Sequence, residues 1–208
     1  MQHSRASYWN QQRSLSRRAC IGALAVAAVV PAFIRSAPAW AAEDPKFDPA
    51  KLSWRVLSRD DLGFSVELPR EPEISAGVNV DELPGYSFKY TSAEVRFDDV
   101  TFNVAVREPT RGGPITAADG PKLLDTIGEA IQTGKDPGTQ SSFTRFTMNG
   151  CPGREDTVRD QADFRLTYRT VVCGGRVIQA AVMWGSRADT DPAAERFLRS
   201  FRLLPGQR

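Results

Sequence analysis

Between Ser141 and Trp184 the chain commits almost every residue to four successive strand-like segments: Ser141–Met148, Cys151–Val158, Phe164–Cys173 and Val177–Trp184. Each has the alternation or β-branched content of a strand, and turn residues separate them. Gly174-Gly175 supplies the positive-φ pair of a two-residue hairpin turn between the last two. Cys151–Val158 and Phe164–Cys173 read as hairpin arms turning through Arg159–Asp163, with paired residue numbers summing to about 322. A run of this kind folds as an antiparallel sheet.

The same alternation opens the domain. Trp54-Arg55-Val56-Leu57 leads through a polar turn at Ser58–Leu62 into Gly63–Pro69, where Phe64, Val66 and Leu68 share one face and Pro69 and Pro72 end the strand. Gly85–Arg96 and Val100–Arg107 form a hairpin around Asp98-Asp99. Two segments carry helical periodicity instead. Leu123, Leu124, Ile127, Ala130 and Ile131 make one apolar stripe of a helix predicted over 117–133, opened by the Thr116/Asp119 capping pair and stopped at Gly134. Asp191-Pro192 reads as a capping Asp with Pro at the first helical position of a second helix, which buries Ala193, Ala194, Phe197, Leu198 and Phe201. The order predicts an α+β domain, a mostly antiparallel sheet with two main helices packed on it.

The first 41 residues belong to a different regime. They hold no acidic side chain, and Arg5, Arg13, Arg17 and Arg18 precede an apolar run from Ala19 to Ile34. That run is shorter than the roughly 20 residues of a spanning helix, so it reads as a cleavable signal rather than a stable membrane anchor. Ser16-Arg17-Arg18-Ala19-Cys20-Ile21 has the twin-arginine pattern, with Cys20 where a Phe often stands. Ala39-Trp40-Ala41 supplies the small-x-small site for signal peptidase. Cys20 precedes the apolar stretch instead of following it, which argues against lipidation. The expected organisation is a signal over 1–41, an extended leader over 42–51, one domain over 52–204 and a short tail over 205–208. The expected partners in transit are the twin-arginine translocase and signal peptidase, and the destination is the periplasm or beyond. An uncleaved tether is the alternative.

Removing the five arginines of the signal, the four above and Arg35 after the apolar run, from the 27 basic residues leaves 22 against 25 acidic ones, a net charge near −3. With no Lys/Arg run, the domain lacks the electrostatic footprint of a nucleic-acid binder. The single histidine, His3, also lies in the signal. Imidazole-dependent catalysis and the usual zinc and copper sites are therefore excluded from the domain, and no cofactor is expected. Catalysis by paired carboxylates or a Ser-Lys pair stays open. Two cysteines remain, Cys151 and Cys173, which in an oxidising compartment favours a disulfide. On the sum of about 322, Cys151 faces roughly residue 171, within a register slip of Cys173. Free thiols or a redox pair are the alternatives, and no Cys-x-x-Cys spacing supports the latter.

Gly63-Phe64-Ser65-Val66-Glu67-Leu68-Pro69-Arg70-Glu71-Pro72 resembles the opening of small exported domains of the PsbP/DcrB-like (LpqN-like) class. Gly153-Arg154, Arg165–Val172, Gly175–Gln179 and Ala194–Phe201 are similar to the end of the same domains. The resemblance implies an antiparallel sheet with helices on its faces and an accessory or interaction role, with no shared catalytic residues.

Candidate sites are few. Asp60-Asp61, Asp98-Asp99 and Asp189-x-Asp191 offer carboxylates without a complete calcium-ligand spacing, and turns and caps account for them. Thr110–Gly113 reads as a loop or an anion cradle. Arg165 and Arg169 share one strand face with Cys173, a stripe for an anion or an acidic partner unless cross-strand acids such as Glu155 take it up. Trp54 and Trp184 read as packing residues. The expected function is a non-enzymatic exported accessory or interaction domain. The alternatives are a small-ligand or lipid binder using a cleft between the 117–133 helix and the sheet, and a His-free carboxylate-pair hydrolase.

Overall fold

In a computed structural model, the described residues are 44–83, 86–133, 139–160, 164–185 and 190–206. The signal motif Arg17-Arg18, the cleavage residues Ala39 and Ala41, the helix stop Gly134 and the acidic Asp189 lie outside them. The strands are β1 (Arg55–Arg59), β2 (Phe64–Leu68), β3 (Glu73–Leu83), β4 (Tyr86–Arg96), β5 (Val100–Arg111), β6 (Gln140–Met148), β7 (Cys151–Arg159), β8 (Arg165–Cys173), β9 (Arg176–Trp184) and β10 (Arg202–Leu203). The helices are α1 (Gly120–Thr133) and α2 (Asp191–Ser200). Seven strands pair in the order β3-β4-β5-β9-β8-β7-β6 and three in the order β1-β2-β10, with every pairing antiparallel. The fold is α+β, as the sequence predicts, with the strands divided between two sheets.

The two-residue turns set the long sheet. Gly174-Gly175 joins β8 to β9, Asn149-Gly150 joins β6 to β7, and all four residues have positive φ (56°, 75°, 52° and 83°). This is the twist that a tight hairpin demands. The β7–β8 pairs sum to 324, two more than expected, as in Gly153↔Val171 and Arg159↔Arg165. The shift arises at Asp160: its backbone N–H donates to the Phe164 carbonyl (3.0 Å), and its carboxylate accepts the Phe164 N–H (2.8 Å). The centre of the hairpin thus moves one residue C-terminal.

Alternation then distributes the core over both faces. On one face Phe102, Val104, Val106, Val171, Ile178, Ala180 and Val182 pack against Phe64, Val66 and Leu68 of the small sheet and against Ala194, Phe197 and Leu198 of α2. Phe102 sits edge-on to Phe197 at 5.4 Å and to Trp54 at 6.2 Å. On the opposite face Leu123, Leu124 and Ile127 of α1 pack on Phe88, Val172 and Val177. The interface proposed as a ligand cleft is therefore filled by these side chains.

Four local expectations are corrected. Glu73–Leu83, unassigned from sequence, is a long edge strand. The leader is part of the domain: Phe47 is buried edge-on against Phe97 at 5.3 Å, its N–H bonds Asp98 Oδ1, and Pro49–Lys51 forms a 3-10 turn. Arg202-Leu203, inside the expected domain but given no element from sequence, is a short strand that pairs with Ser65 and Phe64. Finally, α1 begins at Gly120, because the Asp119 carboxylate folds back onto the Thr116 N–H (2.9 Å) and hydroxyl (2.6 Å) and closes a turn ahead of the helix.

Candidate functional site

Arg165 and Arg169 lie on the sheet face that α2 covers. Arg165 Nη1 donates to Asp191 Oδ2 at 2.7 Å. Arg169 donates to Glu155 Oε2 at 2.7 Å and to the Leu198 carbonyl at 2.6 Å. Both guanidiniums thus fasten α2 to β8, and the stripe read as an anion or partner face is taken up within the fold. Asp191 is consumed the same way: its carboxylate accepts from Arg165 and from Trp184 Nε1 (2.7 Å), and the N-cap position belongs to Thr190, whose side chain makes no cap bond. The other acidic pairs serve turns. Asp61 pairs with Arg59, Asp60 accepts from the Ser58 hydroxyl, and Asp98 holds Phe47. Thr110 bonds the Ser87 carbonyl, ahead of Gly112 and Gly113 at positive φ.

Asp156 is the most deeply buried carboxylate among the described residues, and its two oxygens accept from Arg154 Nε at 3.0 and 2.9 Å and from Nη2 at 2.7 Å. Arg154 also reaches Asp125 on α1 (3.1 Å) and lies 3.9 Å from the Phe143 ring centroid. Gly128 of α1 makes the room, since a Cβ there would stand 2.1 Å from the guanidinium carbon. Burial works against the guanidinium charge, and the bonds from Asp156 and Asp125 more than offset it, so its pKa lies above the ordinary value. The facing pair of buried carboxylates that a hydrolase needs is not found among the described residues.

Cys151 and Cys173 are joined as a disulfide with Cα atoms 5.4 Å apart. The pairing sum of 324 places them opposite one another where the expected register left them offset.

Two surface features remain. One is a groove of about 500 Å³ lined by Pro45, Lys46, Lys51, Leu52, Arg70 and Phe97 among others. Arg70 stacks 4.9 Å from the Phe97 ring centroid and donates to the Arg96 carbonyl, and Lys51 pairs with Asp48 at 3.1 Å. The other is the free edge of β3. It carries Ile74, Ala76 and Val78 exposed on one side, with Ile74 48% and Val78 64% accessible. On the other side Ser75 bonds the Ser92 hydroxyl (2.8 Å), and the Tyr90 ring lies close over Gly77.

Glu73 opens this strand directly opposite Glu94. Glu94 is raised above its ordinary pKa, first by burial; Arg96 opposes the shift, and the charges of Glu73 and Asp44 add to it. A carboxylate whose pKa is raised by folding binds its proton more tightly in the native state. Its ionised form therefore costs stability, beginning as pH climbs past the unfolded value and fully once pH exceeds the folded value. Glu94→Gln is expected to raise the melting temperature at neutral pH, with the gain vanishing below the ordinary carboxylate range. Equal melting curves for variant and parent at neutral pH would refute this.

No family model matches the chain, and no curated protein matches it. Among solved structures it is similar to the solution structure of cyanobacterial PsbP (CyanoP) from Synechocystis sp. PCC 6803, at 14% identity and a TM-score of 0.42, over 82% of this chain and 98% of that one. The fold assignment stands on the chain's own hydrogen-bonded strands.

Proposed function

We propose that this chain is an exported accessory domain that works by holding a protein partner rather than by catalysis. The carrying observation is the β3 edge: among the described residues this strand is paired on one side only, with an apolar stripe open to solvent. The other edge strands among the described residues carry cations, β1 Arg55 and Arg59, β10 Arg202 and β6 Arg145, whereas Ile74–Val80 has no charge and no proline. The resemblance of Gly63–Pro72 to exported accessory domains supports the same reading. Export through the twin-arginine translocase, with cleavage near Ala41 and release to the periplasm, is proposed from the leader sequence, and the Cys151–Cys173 bridge accords with an oxidising destination. The test is a photo-crosslinking amino acid placed at Ile74 or Val78 in the host. A discrete adduct that is absent when the probe stands at Val56, also exposed but on the small sheet, supports the reading. Adducts no different from those at Val56 would refute it.

A second reading, a binder of small anionic ligands, is favoured by the groove at Lys46, Lys51 and Arg70. Native mass spectrometry of protein from its own host tests it through a co-purifying mass lost on Lys46→Glu/Arg70→Glu.

A further inference from the structure

Resting on the interaction reading, the structure assigns a chemistry to the partner: we infer that an extended segment with apolar side chains at alternate positions and a Lys or Arg at the end nearest Glu73 adds to β3 as an eighth strand of the long sheet. Two properties of the edge select it. The first is the pleat. Ile74, Ala76 and Val78 recur every second residue on one side, so a strand laid against the edge with its own apolar residues in the same phase covers all three. The free backbone N–H and C=O groups of β3 give the association its main-chain hydrogen bonds, as in other strand-addition complexes.

The second property is charge. Glu73 is exposed and faces Glu94 across the β3–β4 ladder, an arrangement of like charges that disfavours the pair. Asp44 adds a third carboxylate to the same field. Among the described residues no cation pairs with Glu73, whereas Glu94 has Arg96. In sequence the strand continues to Asp81-Glu82 and contains no basic residue from 73 to 83. A second copy of this edge would bring only further acids, so self-pairing is disfavoured, and a basic-ended strand relieves what a neutral one leaves in place.

The experiment uses the chain expressed from Ala42 with its disulfide intact and two short synthetic peptides of alternating valine and threonine, one with arginine and one with glutamate at both ends. Hydrogen exchange and calorimetry are the readouts. The arginine-ended peptide is expected to protect alternate amides of Glu73–Val80 and to bind about fivefold more tightly than the other, the size of one exposed ion pair. Glu73→Gln should remove most of that preference. Ile74→Lys/Val78→Lys, which alters only exposed side chains, should abolish binding of the arginine-ended peptide without changing the melting curve. Equal affinity for the two peptides overturns the charge inference and leaves the interaction reading standing. Failure of both to protect β3, while crosslinks at Val78 persist in the host, overturns strand addition alone. Dimerisation of the free chain through β3 in sedimentation experiments overturns the assigned partner in favour of a second copy.

Discussion

Arg154→Met is expected to cost about 3–5 kcal/mol of folding stability, which for a domain of this size lowers the melting temperature by about 10 °C. The argument runs through Asp156. Its side chain is 2% exposed and its carboxylate is held by three hydrogen bonds from one guanidinium. Removing the arginine strands a buried anion far from solvent, and the unpaired charge, more than the lost contact, sets the size of the effect. It follows that Arg154→Met/Asp156→Leu should recover most of the loss, because an apolar pair of similar volume carries no such penalty. Arg154→Lys should fall between, since an ammonium keeps the charge but cannot fork across both oxygens or stack on Phe143. Chemical denaturation of the three variants decides it. A single mutant within 1 kcal/mol of the parent (about fivefold in the folding equilibrium), or a double mutant no better than the single, would remove this pair from the account of stability. Gly128→Ala should behave as a partial Arg154 variant, because its methyl group occupies the space of the guanidinium.

Arg154 was present in the sequence as part of a strand with no visible role, because its meaning depends on Asp125 and Gly128 arriving from α1. The same holds for Arg165 and Arg169: alternation places them on one face, but only the docking of α2 brings Asp191 and the Leu198 carbonyl to meet them. What was legible was local. The strands β6 to β9 follow from alternation and glycine turns, and the stripe of α1 follows from a period that survives inspection of one segment. β3 was not legible because its signal is inverted. Ile74, Ala76 and Val78 do alternate, yet they face water, and of the intervening residues Ser75 bonds Ser92 while Gly77, lacking a side chain, leaves room for the Tyr90 ring. Prolines at 69 and 72 then read as the end of structure when they mark a passage from one sheet to the next. Phe47 escaped for a related reason, being one aromatic among prolines whose partners, Phe97 and Asp98, lie some 50 residues away. An edge strand that exposes its apolar face is a poor strand by pattern and a good surface by function, which is why the proposed contact sits where sequence reasoning was silent.

The Cys151→Ala/Cys173→Ala variant is expected to fold and to lose about 3 kcal/mol from the chain entropy of a loop of this length, with a packing loss added to it. It should fold because the bridge joins strands that are already held. β7 pairs with β8 from Gly153↔Val171 to Arg159↔Arg165, and each strand has a second neighbour, β6 on one side and β9 on the other. The disulfide closes the end of an existing ladder instead of creating one. Both cysteines are buried in the main cluster, so the variant adds to the entropic loss a packing deficit that reduction of the native bond does not reproduce. Denaturation of the parent with and without reductant therefore separates the two contributions, the reduced parent falling between the oxidised parent and the variant. The outcome bears on the route of export. A twin-arginine substrate crosses the membrane folded, so its domain has to reach the native state in a reducing cytoplasm before any bridge forms. A variant that is unfolded at neutral pH, or export that survives replacement of Arg17-Arg18 by Lys-Lys, would remove the twin-arginine route from the proposal and leave the general secretory pathway, in which the bridge takes part in folding from the start.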